Sequence, residues 1–233
     1  FFDLVYPGKT QLTPELKDFV EKDISTFEKA LYSYDHDTLA YGFQNYVDMD
    51  AFVDYFILME DFLQHDTGNL STYFYKDING LFKPCVWDFN NDLENISVIS
   101  DDDFYIRKFV SVQAPWFWMM IKDENYISRI ITRYKELRKG ILSDDALTAY
   151  IEDTKNYLGS AVDRNFAVWE YSFNPDNLDM RNKLRPNERN PRSYDEAVAQ
   201  MTGTLLERLA WLDENIEILN QYCHESAVKK FNH

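Results

Sequence analysis

"HDTGNLSTYFYKDINGLFKPCVWDFNND", residues 65–92, sets two β-rich runs on either side of Asn79-Gly80 and puts an acid-bearing polar loop at each outer end. Asn-Gly between two such runs is a strong short-range signal for a tight hairpin. Centring the turn there makes paired positions sum to about 159 and brings Asp88 opposite roughly Ser71. The loop holding Asp66, Thr67, Gly68 and Asn69 arrives at that same open end. Asp66 and Asp88, 22 positions apart in the chain, are therefore predicted to converge. Pro84 has no N–H for a ladder and restricts the second run to an edge or a bulge.

Working outward, helices flank the hairpin. Before it, Asp50 is expected to cap AFVDYFILMEDFLQ, whose apolar residues run almost all round, as in a helix enclosed by others. Earlier still, Thr13, Pro14 and Glu15 read as N-cap, first-turn proline and first-turn acid of a helix with Leu16, Phe19, Val20, Ile24, Phe27 and Leu31 on one face. After the hairpin, a polar connector leads to WFWMMI and to NYISRIITRYKELRKG, which stops at Gly140. Ser143 then opens one long helix with a stripe from Leu147 to Trp169. A turn-rich loop follows, and a capping box at Ser193–Glu196 starts the last helix, with Val198, Met201, Leu205, Leu209, Leu212, Ile216 and Leu219 inward.

This pattern predicts an α+β fold, predominantly helical, with residues 1–233 as one domain. Composition agrees: 45% hydrophobic residues fill a substantial core, and only 7 Gly and 7 Pro disfavour a many-turned all-β design. A formal net charge of −16 repels phosphate backbones and anionic lipid, which argues against nucleic acid as a partner. No apolar run is long enough for membrane insertion. Cys85 and Cys223 allow at most one disulfide and leave the redox compartment open. A chain that starts on Phe1-Phe2 reads as an excised or processed piece.

The two acids, the amides of Asn69 and Asn90 and the Ser71 hydroxyl form a hard-oxygen set suited to Mg, or Mn, bridging to phosphate oxygens. Phosphoryl transfer needs one acid to orient or deprotonate the acceptor hydroxyl and another to hold metal. The order acidic loop, strand, turn, strand, Asp88-Phe89-Asn90 is similar to the catalytic half of protein kinases. "NYVDMDAFVDYFILME", "STYFYKD", "VWDFNND", "VDRNFAVW" and "LLERLAWLDENI", in that order, resemble the C-terminal lobe of the spore coat protein H (CotH) kinase-like family over nearly the whole chain.

The resemblance implies an atypical protein-kinase-like C-lobe with the site on a β-hairpin. It implies ATP and Mg as cofactors and a protein substrate with Ser or Thr hydroxyls. Asp66 would be the catalytic acid/base, and Asp88, with Asn69 and Asn90, the metal site. Gln64 stands where the family commonly has Asn, and Ser71 near where kinases carry a second amide; both would support the acids. No segment resembles a nucleotide-covering N-lobe with its lysine. An extracellular, cell-envelope or spore-coat setting goes with the family.

Other residues admit two readings. Glu60, inside the apolar helix, is either a paired structural acid or a site residue. Arg208 and Arg164, near Trp211 and Trp169, read as buried-pair or stacking residues. Arg181, Lys183 and Arg185 lie in the basic loop MRNKLRPNERNPR, which would hold phosphate or acidic substrate, or else be anchored to neighbouring acidic surface. Two functions from other classes compete with transfer. One is a catalytically inactive kinase-like scaffold of a surface or coat. The other is a glycoside hydrolase, which needs its carboxylates about 5 to 10 Å apart across a sugar-sized groove.

Overall fold

The computed structural model describes residues 3–96, 105–180, 183–226 and 228. Helix accounts for 56%, beside one two-stranded antiparallel sheet, so the fold is α+β with helix dominant. Helix α1 (Pro14–Leu31) begins as its sequence dictates, with the Thr13 hydroxyl accepting from the Leu16 N–H at 3.2 Å. Its apolar face is used only towards the end. Phe27, Ala30 and Leu31 are buried, while Phe19 is exposed.

Helix α2 (Met49–Asp61) is capped by Asp48 rather than Asp50; the Asp48 carboxylate accepts from the Ala51 N–H at 3.1 Å. Asp50 instead occupies the first turn, where its charge suits the helix dipole. The all-round apolar pattern of α2 does mean enclosure. Phe52, Phe56, Ile57 and Met59 are all essentially inaccessible, each a burial worth about 1.5–3 kcal/mol.

Strands β1 (Tyr73–Tyr75) and β2 (Lys83–Cys85) pair antiparallel with Tyr73 opposite Cys85, Phe74 opposite Pro84 and Tyr75 opposite Lys83. That register is one residue off the expected one. The reason lies in the connection: the Gly80 N–H closes a turn on the Asp77 carbonyl at 2.9 Å, with Asn79 left-handed at φ 65°, inside a longer loop rather than a two-residue one. Pro84 is tolerated because a two-stranded sheet has only edges.

The inward side chains fix the hairpin to the helices. Phe74 stacks on Phe52 and meets Trp116, with centroids 5.9 and 4.6 Å apart, and Phe82 meets Phe27 at 5.5 Å. Lys76 bonds Asp23 of α1 at 2.5 Å and lies over the Phe82 ring. Phe82 also exchanges backbone hydrogen bonds of 2.9 Å with Tyr46 and Asp48, so the hairpin root is tied to the start of α2.

Helices α3 (Pro115–Met120) and α4 (Glu124–Arg138) follow as read. The Tyr126 hydroxyl of α4 donates to the Phe52 carbonyl at 3.0 Å, and Arg133 grips Asp54 with two hydrogen bonds of 2.8 and 3.3 Å. The expected single helix to Trp169 divides into α5 (Asp144–Leu158) and α6 (Ala161–Val168). Gly159 makes the break, at φ 45°, a conformation that stops a right-handed helix. Neither helix has a fully buried residue, and Trp169 is 76% exposed; only Leu147 and Ile151 of that stripe lean on the core.

Ser193 caps α7 (Tyr194–Asn215), its hydroxyl accepting from the Glu196 N–H at 3.1 Å. The Glu196 carboxylate reaches back to the Arg192 N–H, one residue earlier than a strict capping box. Leu205, Leu209 and Leu212 are buried, and Ile216 and Leu219 continue that face on a 3₁₀ turn; Met201 is exposed. Cys85 and Cys223 are free. Among the described residues, no helix is long and apolar enough to cross a membrane.

Candidate active site

The floor of the site is a buried ion pair. Glu60, at the end of α2, and Arg208, on α7, are 2.7 Å apart and both essentially inaccessible. Arg208 also donates to the carbonyls of Glu60, Ile106 and Lys108 at 2.7–2.8 Å and stacks on Trp211. Glu60 accepts the N–H groups of Val110 and Ser111 at 3.0 and 2.7 Å. Glu60 is thus the structural acid of the two readings, and Arg208 the buried pair and stacking residue expected of it. Burial pushes the Glu60 carboxyl up, opposed by Arg208 and the two amides. Next to it, burial drives Asp61 up to about 8.

The two acidic loops are fastened to each other above this floor. Gln64 is 3% exposed; its amide Nε2 donates to the Asp88 carbonyl and its Oε1 accepts from the Asp66 N–H, both at 3.0 Å. One side chain therefore holds the backbone of both acids. The Ser71 hydroxyl donates to Asp88 Oδ2 at 3.1 Å, the Leu93 N–H donates to the Phe62 carbonyl at 2.9 Å, and the Phe62 and Phe89 rings meet edge to face. Thr67 and Thr72 brace the Asp66 turn from within, Thr67 donating to the Gln64 carbonyl and Thr72 accepting from the Gly68 N–H.

These loops store backbone strain. Leu63, Ser71, Asp88, Leu93 and Glu94 all have φ between 45° and 65°, a region non-glycine residues seldom occupy and which concentrates at functional sites. Gly68, at φ 75°, is obligatory for a second reason: a Cβ there would lie 2.4 Å from that of Ala114, just before α3.

Asp66 is half-buried. Asp88 is exposed rather than partly enclosed, because Trp87 beside it turns outward and is itself 56% exposed. The enclosed carboxylate of this loop is Asp92, raised to about 7 by burial and by the negative charges of Asp66 and Asp88. Asn69 and Asn90 are exposed on the same loops, with Asn90 Nδ2 donating to Asn91 at 3.3 Å. Among the described residues, no three His, Cys, Asp or Glu side chains form a group able to hold a metal ion. Magnesium does not need one, since it is usually held by one or two carboxylates and several waters. Asp88, exposed and hydrogen-bonded by the Ser71 hydroxyl at 3.1 Å, is a carboxylate of that kind.

Of the basic loop, Arg181 lies outside the described residues. Arg185 points to the Met180 sulfur at 4.0 Å, and among the described residues neither it nor Lys183 has an ion pair with an acid of the site. Arg189 of the same loop anchors it, donating to the carbonyls of Glu94 and Ile96. Sequence reasoning passed over Asp92 and Arg189. For Asp92 the signal was present in the run Asp88-Phe89-Asn90-Asn91-Asp92, but nothing local distinguishes its burial from the exposure of Asp88.

A mostly helical α+β fold, with two acid loops stitched together at the open end of a short hairpin, defines a class of domain that assembles carboxylates beside a strained turn. The CotH kinase protein family matches over residues 4–212, and the chain belongs to that family. No curated protein and no solved structure matches it.

Proposed function

We propose that this chain is the larger lobe of an atypical kinase that transfers phosphate from ATP to a Ser or Thr hydroxyl of a protein, with an N-terminal lobe completing the nucleotide site. The observation that carries this reading is Gln64, whose two hydrogen bonds hold Asp66 and Asp88 in fixed relation. Membership of a kinase family supports the reaction class. Asp66 is the acid/base: it accepts the proton of the acceptor hydroxyl as that oxygen bonds the terminal phosphorus and ADP leaves. Asp88, with Asn90 and Asn69, would hold magnesium. When bound, the ion neutralises charge on the phosphate oxygens. Ser71 orients the Asp88 carboxylate through its 3.1 Å hydrogen bond.

The test is phosphate incorporation from labelled ATP by the full-length protein, dependent on magnesium. Asp88→Ala should abolish it, and undiminished incorporation would remove the assignment. A partner-binding scaffold is the second reading. It is favoured by Ser71, which supplies a hydroxyl where kinases place an amide. Calorimetry with Mg-ATP on the full-length protein separates the two, since a scaffold gives no metal-dependent nucleotide heat.

A further inference from the structure

Beside the acid pair that reads from the sequence stands a third carboxylate. Asp92 is 5% exposed, and neither of its oxygens meets a hydrogen-bond partner. A buried carboxylate with no donor and no cation is among the costliest arrangements in a protein interior. Asp61 is also buried with both oxygens unpartnered, but two cations, Arg208 and Arg138, act on it favourably. Around Asp92 the acting charges are those of Asp66 and Asp88, of its own sign. The fold nonetheless presses Asp92 into place, through the Leu93–Phe62 hydrogen bond, left-handed Leu93 and Glu94, and Arg189 on the Glu94 carbonyl. What this geometry lacks is positive charge beside a buried carboxylate whose two oxygens have no hydrogen-bond partner.

We propose that Asp92 is a direct ligand of the divalent cation held by Asp88, so that the ion rests on two carboxylates of one tight loop. The inference builds on the phosphotransferase reading above. Two carboxylates completed by water and phosphate are the habit of magnesium and manganese, whereas calcium asks for six to eight oxygens. In the chain the two residues are separated only by the 3₁₀ turn Phe89–Asn91, which Asp88 enters with left-handed backbone.

The probe is Mn²⁺ alone, titrated into metal-free full-length protein and followed by the loss of the free-ion electron paramagnetic resonance signal. Asp92→Asn keeps the shape and removes the charge. It should weaken Mn²⁺ binding by about tenfold or more, the scale on which even outer partners of metal ligands act. It should also raise the metal-free melting temperature, because an uncompensated buried charge is gone. Wild-type affinity in Asp92→Asn, with binding lost in Asp88→Asn, overturns the role of Asp92 and leaves the cation reading standing. Unchanged binding in Asp88→Asn overturns both. A metal-free melting temperature below wild type also overturns the proposal, since it would mean the charge is already compensated. Should Asp92→Asn fail to fold, Asp92→Ser carries the same expectations.

Discussion

Replacing Arg208 with Met tests the foundation of the site. The substitution keeps most of the side-chain volume and deletes hydrogen bonds of 2.7–2.8 Å that include three to carbonyls and one to the Glu60 carboxylate. It leaves Glu60 and Asp61 without the cation that both face. Breaking a buried pair by removing one partner costs about 3–5 kcal/mol, because the other charge stays buried and uncompensated. For a chain of this length each kcal/mol is worth about 2–4 °C, so the melting temperature at pH 8 should fall by roughly 6–20 °C. The deficit should be smaller at pH 5, where carboxyls pushed up by burial take protons and cease to need a counter-charge. Calorimetric melts at both pH values measure this. Adding Glu60→Leu to Arg208→Met should recover part of the loss, since a hydrophobic pair replaces a lone charge. A variant melting within about 2 °C of wild type at both pH values would refute the reasoning, being below one kcal/mol.

Two further outcomes follow from the same region. Asp61, raised to about 8 in the folded chain, binds more protons folded than unfolded, so its contribution is full below about pH 4 and is lost as pH rises towards 8. Asp61→Asn should therefore gain stability relative to wild type between pH 5 and 8, by at most about 1.4 kcal/mol per pH unit; urea unfolding at several pH values checks it, and a constant difference would contradict it. The groups facing Asp61 are Glu60, Arg208, Arg138, Asp213 and Tyr134, none of which the substitution alters. Gln64→Ala should cost about 1–3 kcal/mol by leaving the Asp66 N–H and Asp88 carbonyl short of a partner, seen as a lower urea midpoint together with reduced phosphate incorporation.

What the sequence made legible was local. Thr13, Ser143 and Ser193 cap helices because a hydroxyl and the N–H three residues on settle the matter between them. The convergence of the two acid loops was legible because Asn79-Gly80 announces a reversal, although the longer connection shifted the register by one. Composition of α2 told that it is enclosed. Pairing between distant residues was not legible. Glu60 stood out as an acid among apolar residues, yet nothing nearby names Arg208 as its partner. Asp92 and Asp88 look alike in the chain and differ only because Leu93 is pulled to Phe62 while Trp87 is left outside. The break at Gly159 was passed over because the apolar spacing runs on through it, and spacing says nothing of a single left-handed residue.

The Glu60–Arg208 bond joins residues 148 positions apart. During synthesis, α2, the hairpin and both acid loops leave the ribosome long before Arg208, so a nascent chain carries Glu60 without its cation until α7 emerges. The acids are made early, and their buried ion pair can close only once α7 has emerged. A truncated product lacking α7 would hold every acid of the site on ground that has not yet set.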